Sequence, residues 1–595
     1  MFRRHTKLRV KRKLRIHQKT ISDVGEQASY TIDRHLIRRW RNLNEVKRHV
    51  LAWWLLIVIS SVGLFLQSGW LDSYYRKISY VPGGVYREGM LGDVTNINPI
   101  FASDEPDRAV SRLVFSGLLG FDNEGRLVND LAQSVTADDK GTTYTAVLKP
   151  GIVWHDGSSL TAADVVYTIK MIQHPDTRSP LNLSWQGVTA SVVDARTVKF
   201  ELSSALTTFP QSLTVGIIPK HILAEQSPER LRSLPFNTTK AIGTGPFHVE
   251  SIGLRDPSEV TNRRIILNAN KRYYNGSPKL DQFVVDTYND FDAIVADYRA
   301  GRLTGMVVTS AEQLQSIQGN KKISEREKVS TVPLFTGLYV FLKTSDPLFG
   351  DVKVRQALEQ GTNPATMTAK FGEPVISVDS PILKGQVGYD KNITQSRYNP
   401  THANQLLDDA GWKRNADGIR AKDGRLLDVN LTTQNDNDYP AIADDLKSQW
   451  AQLGVKVTVR SEPSDTIQQT IIAPHAYQAL LYGISIGPDP DVYPYWHSKE
   501  ASVNRFNLSE YKSPKADAAL EAGRTRAVPA IRAVKYKPLL EAWRDDTPAI
   551  GLYQPLFIYV QAPNSFGLRT GHYVEAADRF SNVNEWMVKQ KMIDQ

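Results

Sequence analysis

The chain has 595 residues, more than one hydrophobic core usually supports, so the sequence predicts at least two lobes. It contains no cysteine, which excludes disulfides, thiolate metal sites, cysteine nucleophiles and a lipidated N-terminal cysteine. The formal net charge of +9 is unevenly spread, because residues 1–48 hold 15 Lys and Arg against four acids. That tail carries +11 and leaves −2 for the remaining residues.

An uncharged apolar stretch, 50–71, follows the basic tail. A helix of about 20 apolar residues spans a bilayer, and an excess of Lys and Arg marks the cytoplasmic side. We therefore expect a transmembrane anchor with a cytoplasmic N-terminus and the bulk of the chain outside. Aromatic residues typical of the headgroup layer lie near its ends, namely Trp53, Trp54, Trp70, Tyr74 and Tyr75.

Two alternatives concern this N-terminal region. A cleaved signal peptide normally has an apolar core of about 7–15 residues and lacks so long a basic leader. The tail 1–48 has the charge to bind nucleic acid, but polybasic segments beside a membrane helix more often attract anionic lipid and fix topology. We therefore favour an uncleaved anchor, do not expect a nucleic-acid partner, and treat 72–84 as a spacer.

Beyond the spacer, extended and helical patterns alternate without a fixed repeat, which indicates a mixed α/β fold. Thr143–Leu148 is predicted as a strand, and Thr161 with Asp164 forms a T-x-x-D helix start. Pro440 opens a predicted helix that Gly454 ends. Further predicted elements are the strand Val455–Val459 and the helices Asp351–Gln360 and Thr401–Ala410, the last followed by Gly411.

Several segments resemble, in wording and in order, the family-5 extracellular solute-binding proteins of ABC transporters, the group that contains oligopeptide, dipeptide and nickel binders. The resemblance runs from about Tyr86 to the C-terminus. Its most specific stretch is TYTAVLKPGIVWHDGSSLTAADVVYTI. The other matching segments are Asn98-Pro99, VFSGLLGFDNEGRLVNDLA, AIGTGPFHV, VRQALEQGTNP, LLDDAGW and GPDPDVYPYWHS.

The resemblance implies an α/β, two-lobe, hinged clamp like the periplasmic binding proteins (type II, the large cluster with an extra subdomain), preceded by one transmembrane helix. We expect lobe I at 85–280 and 553–595 and lobe II at 281–552, with crossings near Lys279-Leu280 and Tyr553. Closure around a ligand would then be a hinge motion of two rigid bodies.

The resemblance also implies a function: the extracytoplasmic binding component of an ABC importer, with the permease subunits as partners. Its ligand would be a peptide or another small polar solute. No cofactor and no metal is expected, since the histidines are scattered and no H-E-x-x-H occurs. The implied ligand contacts are Thr95, Asn98, Trp185, Thr244, Tyr482, Ile484, Asp489, Tyr495, Asn504, Phe506 and Tyr553.

One position departs from the family's pattern. In its peptide binders, an acidic residue before the Asp-Pro pair receives the ligand's ammonium group in a charge-assisted contact. Here 484–488 contain no carboxylate and the segment is one residue shorter. Either Asp489 or Asp491 replaces the acid, or the ligand is a blocked peptide, a sugar-containing solute or another molecule without an amino terminus.

Two other classes of function stay open. Gly483–Gly487 satisfies the G-x-S-x-G pattern of a hydrolase nucleophile, Ser485, but prolines follow where that motif needs a helix. An anchored receptor that signals through the basic tail is the third class. Within the matched segments, His155-Asp156-Gly157 is interpreted as a turn before a helix, and the glycines around Thr244 lack the Lys-Ser/Thr of a P-loop.

Overall fold

The computed structural model describes residues 47–594, except 204, 207, 256–261, 309, 320–327, 370–374, 436–437, 527 and 570. The basic tail up to residue 46, with the predictions made for it, lies outside the described residues. The described residues form two compact units, one comprising 47–79 with 590–594 and the other comprising 80–589.

The first unit contains the helix Lys47–Tyr75. Within it, His49–Gln67 is long and apolar enough to cross a membrane, with a mean hydropathy of 2.1, and no other helix of the described residues passes that test. Its apolar side chains from Leu51 to Leu66 are exposed. The expected spacer 72–84 contains the last turn of this helix and the strand Arg76–Val81, which pairs with Lys589–Asp594.

The second unit is built around two large sheets. Sheet A has seven strands, in spatial order Lys328–Pro333, Leu556–Gln561, Gly305–Val308, Val85–Leu91, Gln282–Tyr288, Arg263–Ala269 and Phe247–Leu254. Sheet B has five, in the order Lys456–Glu462, Asp428–Gln434, Ala479–Ser485, Thr336–Leu342 and Ala549–Gly551. Both sheets mix parallel and antiparallel pairs.

Smaller sheets complete the second unit. Sheet C is antiparallel, in the order Ala132–Ala137, Thr143–Leu148, Thr197–Leu202 and Val188–Val192. Leu119–Phe121 pairs with Leu127–Asn129. A three-stranded sheet joins Lys413–Arg414, Arg420–Lys422 and Arg425–Leu426.

Helices connect these strands and cover the large sheets. The α-helices of the second unit are Glu105–Val114, Ala162–Gln173, Phe209–Ser212, Lys220–Leu223, Phe291–Arg299, Ala311–Gln318, Val352–Gln360, Pro364–Thr368, Pro400–Asp409, Tyr439–Gln452, Ser464–Ile467, Tyr493–Trp496, Pro514–Arg524 and Pro529–Asp546. Short 3-10 helices lie at Pro175–Thr177, Asn182–Trp185, Pro228–Ser233, Pro235–Asn237, Ser498–Glu500 and Ala576–Glu585, and a π-helical turn lies at Gln468–Ile472.

Central strands of sheet B are buried on both faces. In Thr336–Leu342, Leu338 and Val340 pack in one core while Tyr339 and Phe341 pack in the other. A strand covered on both faces is apolar at successive positions, as TGLYVFL is. The same burial holds for Gln282–Tyr288 in sheet A. The cores therefore lie on the two faces of each large sheet.

Most local predictions are confirmed. Thr143–Leu148 is a strand, and at the start of Ala162–Gln173 the Thr161 amide donates to the Asp164 carboxylate at 2.9 Å. The predicted helices after Asp351, Asn399 and Asp438 form within one or two residues of their expected bounds. Gly411 and Gly454 follow helices at φ +85° and +81°, a conformation that glycine adopts without strain.

We expected the chain to cross between the lobes near Lys279-Leu280, but the strand pairing shows that it does not. Gln282–Tyr288 lies parallel to Val85–Leu91, and Gly305–Val308 flanks the same strand. Residues 281–333 therefore continue sheet A, and the chain reaches sheet B only between Pro333 and Thr336. It returns between Gly551 and Leu556, a segment that contains Tyr553. We call the part built on sheets A and C the first lobe and the part built on sheet B the second lobe.

Candidate ligand-binding cleft

The segment that follows a central strand of sheet B lies beside the crossing between the lobes. Ala479–Ser485 ends at Ser485, and the amides of Ile486 and Gly487 both donate to the carbonyl of Phe335, at 2.9 and 3.3 Å. A turn over 487–490 follows, with Gly487 at φ +75°. We call residues 483–491 the cleft wall, because they face both the crossing and the first lobe.

The first lobe contacts the cleft wall through polar side chains. Gln211 Nε2 donates to the carbonyl of Asp489 at 3.0 Å, and Thr208 Oγ1 donates to Asp491 Oδ2 at 3.4 Å. A Cβ added to Gly487 would lie 2.2 Å from Gln211 Oε1. Gly487 has no Cβ, which leaves room for the Gln211 side chain, and its φ of +75° is a conformation that favours glycine, so the lobes meet at the wall.

Asp489 is paired within its own lobe. Its carboxylate faces the guanidinium of Arg532, with Arg532 Nη1 donating to Asp489 Oδ2 at 3.1 Å and Nη2 contacting Oδ1. The Arg532 side chain is only 5% exposed, and it belongs to the helix Pro529–Asp546. A buried guanidinium thus balances the charge of this predicted contact.

Asp491 is paired in the same way. Arg524 Nη2 donates to Asp491 Oδ2 at 2.8 Å, and the two side chains are 16% and 10% exposed. The Arg524 guanidinium also lies 4.0 Å from the centre of the Tyr493 ring, a cation–π distance. The second acid that we expected as a substitute for the missing one is therefore also matched by an arginine.

Three of the predicted aromatic contacts lie together near the wall. The Tyr495 hydroxyl donates to the carbonyl of Ser485 at 2.7 Å, and its ring lies 6.5 Å from that of Phe506. Burial raises the pKa of Tyr495, and the charges of Asp491 and Tyr482 add to that effect. The Tyr482 hydroxyl accepts from Gln468 Nε2 at 3.3 Å. These rings form an amphipathic surface beside Ser485.

Three other predicted residues of the second lobe occupy different surroundings. Ile484 is buried in a core of sheet B. Tyr553 is buried at the return crossing, where its carbonyl accepts the amide of Leu338 at 3.0 Å, and burial raises the pKa of its hydroxyl. Asn504 is exposed at φ +62°, with its amide bonded to the carbonyl of Ala473.

The predicted contacts Thr95 and Asn98 lie in the loop after the strand Val85–Leu91, where Thr95 is exposed and Asn98 is buried. Exposed Thr95 donates from its amide and its hydroxyl to Asp107, whose pKa burial raises to about 6. Asn98 is buried, with its amide group bonded to Asn237 Oδ1 at 3.0 Å. Thr95 is thus available at a surface, whereas Asn98 holds two loops together.

Thr244 and Trp185 are both buried. The glycines beside Thr244 pack on the carbonyl of Val114, and among the described residues the Thr244 hydroxyl has no hydrogen-bond partner. The Trp185 ring packs edge-on against Phe209 in the core of the first lobe. The structure therefore places Trp185 as a packing residue and leaves Thr244 as an unpaired polar group.

The turn interpretation of the His155 motif is confirmed. The amide of Gly157 donates to the carbonyl of Trp154, and Gly157 has φ +96°. His155 Nδ1 accepts from the amide of Gly243, and burial lowers the pKa of His155 to about 4. The neutral imidazole of His155 therefore joins the segment around Gly243 to the turn through this hydrogen bond.

A cavity of about 470 Å³ borders the lobe contacts. It is lined mainly by the first lobe, including Leu119, Val135 and Tyr144, and it is also lined by Pro210 and Thr525. Since Pro210 precedes Gln211 and Thr525 follows Arg524, the cavity adjoins the residues that meet the cleft wall. Among the described residues, no cluster of His, Asp and Glu has the geometry to hold a metal ion.

Sequence reasoning missed Gln211, Phe335, Arg524 and Arg532. Phe335 contacts the wall through its backbone carbonyl, and a backbone contact cannot be predicted from the type of the residue. Arg532 pairs with an acid 43 positions away in the chain, and an arginine in a helix is most often exposed to solvent. The available signal was an Asp-Pro-Asp segment that required counter-charges.

The comparison with known families decides what the two lobes are. Residues 126–504 match the model described as bacterial extracellular solute-binding proteins, family 5 Middle. The chain belongs to that family. As a family-5 solute-binding protein, it is the solute-binding component of an ABC importer.

Relatives along nearly the whole length agree. The chain is 26% identical over 568 residues to the oligopeptide-binding protein AppA of Bacillus subtilis, covering 91% of this chain and 100% of that protein. The structure of that AppA in complex with a nonapeptide has a TM-score of 0.73 at 25% identity and covers 86% of this chain and 100% of that one. NikZ of Campylobacter jejuni, solved with Ni(L-His), has a TM-score of 0.71 at 24% identity, covers 84% of this chain and 99% of that one, and supports the fold.

Proposed function

We propose that this family-5 protein captures a peptide, or a polar solute of similar size, between its two lobes on the outer side of the membrane. The contact of the cleft wall with both Phe335 and Gln211 carries the proposal. A solute held there would touch groups of both lobes and couple binding to their relative position. The nonapeptide bound by the Bacillus subtilis relative supports a peptide of several residues as ligand.

The ligand surface that we propose centres on the wall and its aromatic flank. Tyr482, Tyr495 and Phe506 supply an apolar face with polar edges, the combination typical of solute clefts. Thr95 supplies a polar group from the first lobe, whereas Thr244, which is fully buried, is a weaker candidate for direct contact. Ile484, Asp489 and Tyr553 hold the wall and the return crossing in place, while Asn98, Trp185 and Asn504 stay weaker candidates for direct contact.

We further propose that Lys47–Tyr75 is an uncleaved, single-pass anchor with the N-terminus in the cytoplasm. Its exposed apolar length and the basic residues before it support this topology. The bilayer and the permease subunits of the importer would be its partners. The binding unit begins at Tyr80, directly after the unit that contains the anchor helix.

The structure gives the hydrolase alternative little support. The strand that carries Ser485 runs into the turn over 487–490, whereas a nucleophile elbow requires a strand that runs directly into a helix. A receptor that signals through the tail would differ from the importer component in one result. Deleting residues 1–48 while retaining a functional anchor would abolish a cellular response and leave solute uptake intact.

Native mass spectrometry of the full chain, extracted in mild detergent from its own host, tests the proposal. We expect a bound solute whose fragments have amino-acid residue masses. Gln211→Ala should reduce the occupied fraction several-fold by removing a contact between the lobes. Gln186→Ala, an exposed glutamine of the same lobe, is the matched control and should not.

A folded protein that never carries a solute and binds none from a peptide mixture would contradict the proposed ligand. Equal losses in both variants would place the binding surface away from Gln211. A bound solute without amino-acid fragments would retain the clamp and replace the peptide.

A further inference from the structure

The two carboxylates of the cleft wall are already neutralised. Asp489 faces Arg532 through both oxygens, and Asp491 accepts from Arg524 at 2.8 Å. Both guanidiniums come from the second lobe itself, so the pairs do not depend on a ligand or on the position of the first lobe. The wall 483–491 therefore has formal charges that sum to zero once its partners are included.

Neighbouring contacts fix these pairs in place. The Tyr536 hydroxyl donates to the carbonyl of Pro490, between the two aspartates, at 3.1 Å. The Arg524 guanidinium stacks on Tyr493. Arg532 is 5% exposed, and its guanidinium contacts both oxygens of the Asp489 carboxylate. A ligand ammonium would therefore have to add a third charge to a satisfied pair.

We infer that the end of the ligand that lies against the cleft wall carries no ammonium group, so that the preferred solutes are N-acylated peptides or peptide-sized molecules with a neutral end. Placing an ammonium in a cleft that excludes water is costly unless an unmatched carboxylate receives it. The exposed side chain of Ser485 offers a neutral hydrogen-bonding group at this position. The inference rests on the proposed peptide function and specifies its substrate class.

Calorimetric titration of the full chain in detergent micelles tests this inference with two pools of synthetic pentapeptides. The pools have the same sequences, one with free amino termini and one N-acetylated. We expect the N-acetylated pool to bind more tightly than the free-amino pool. Equal affinities, or weaker binding of the N-acetylated pool, would overturn the inference while keeping the proposed peptide function. Failure of both pools to bind to a folded protein would overturn the proposed function as well.

A designed carboxylate supplies a second, independent readout. Ser485→Asp places an acid without an arginine partner at an exposed position of the wall, and Ser485→Asn is its uncharged control. We expect Ser485→Asp alone to prefer the free-amino pool by tenfold or more. No preference in Ser485→Asp would place the amino end of the ligand elsewhere and overturn the inference.

Asp438 needs its own variant, because it influences Tyr553 and precedes the helix whose Tyr439 hydroxyl approaches Gly483. We expect Asp438→Asn to leave the ratio of the two affinities unchanged. If the wild-type protein prefers free amino termini and Asp438→Asn removes that preference, Asp438 receives the ammonium and the inference is wrong.

Discussion

At the scale of single residues, Arg579 is a completely buried charge in the first lobe that needs partners of opposite charge. It lies 2.6 Å from Glu88, and both side chains are completely buried. A second carboxylate, Glu105, lies 3.1 Å from the same guanidinium. The pair joins the C-terminal segment to a central strand of sheet A, so it links parts of the chain that are far apart in sequence.

Arg579→Met should therefore destabilise the first lobe strongly. Removing one partner leaves Glu88 as a buried charge without compensation, which costs about 3–5 kcal/mol. Urea unfolding measures the change in free energy. Arg569→Met is the matched control, because Arg569 pairs with Glu585 at 55% and 44% exposure and such surface pairs contribute less than about 1 kcal/mol. Equal effects of the two substitutions would contradict this account of Arg579.

Glu359 makes stability depend on pH. It is 2% exposed, and burial raises the pKa of its carboxyl from 4.5 to about 7. The folded state therefore keeps a proton that the unfolded state has lost, so stability falls as the pH rises from 4.5 to 7. At 1.36 kcal/mol per pKa unit, the loss is about 3 kcal/mol.

Glu359→Gln should remove this contribution and leave a protein more stable than the wild type at pH 8. The free energy of unfolding, measured between pH 4.5 and 8, is the readout. Glu541→Gln, at a partly exposed acid paired with Lys515, should retain the wild-type slope. A wild-type slope in Glu359→Gln would show that this carboxyl does not carry the effect.

The family resemblance placed part of the proposed site. Tyr495 and Asp489 were predicted because the matching segment GPDPDVYPYWHS places them there. The arginines that neutralise the wall were not, since their partners are set by the packing of two helices against the turn. Trp185 lies in a core of the first lobe. The sequence around a single aromatic residue does not show whether that residue packs in a core or lines a cleft.

At the scale of elements, local patterns predicted helices well because their ends carry chemical markers. Thr161 with Asp164, Pro440, Gly411 and Gly454 each mark a boundary that the structure shows within a residue or two. A strand carries no comparable chemical marker that identifies which strand it pairs with. The apolar run in Gln282–Tyr288 shows that both faces are covered, but it does not state which strand lies beside it, and the first crossing was therefore misplaced.

The helix Lys47–Tyr75 leads to a prediction at the same scale. Ile57 and Ile59 lie near the middle of the apolar span and are exposed. A lysine near the bilayer centre costs about 2.5–3.5 kcal/mol, so the double variant Ile57→Lys/Ile59→Lys should insert poorly. Alkaline extraction of membranes should then release the chain.

The control places the same charges outside the span. Ile531→Lys/Val534→Lys alters two exposed apolar residues of the helix Pro529–Asp546 and should leave the chain in the membrane pellet. Retention of the Ile57→Lys/Ile59→Lys variant in that pellet would contradict the role of this helix as the anchor.

At the scale of the whole molecule, the chain starts sheet A, builds sheet B and returns to sheet A. Two short crossings, near Phe335 and Tyr553, join the lobes, and the cleft wall lies beside the first of them. The family resemblance predicted this plan and the return near Tyr553. The expected bounds placed 281–333 in the second lobe, whereas these residues continue sheet A, because the assignment of strands depends on contacts between residues up to several hundred positions apart.

The central claim is that solute capture couples the two lobes, and fluorescence energy transfer between them tests it most directly. The chain has no cysteine, so Val193→Cys in the first lobe and Val534→Cys in the second label the full chain uniquely. A saturating mixture of the free-amino and N-acetylated pentapeptide pools should shift the distance between these labels. The same mixture should leave the distance between Leu426→Cys and Val534→Cys, both in the second lobe, unchanged. An unchanged distance between the lobes at saturation would contradict the account.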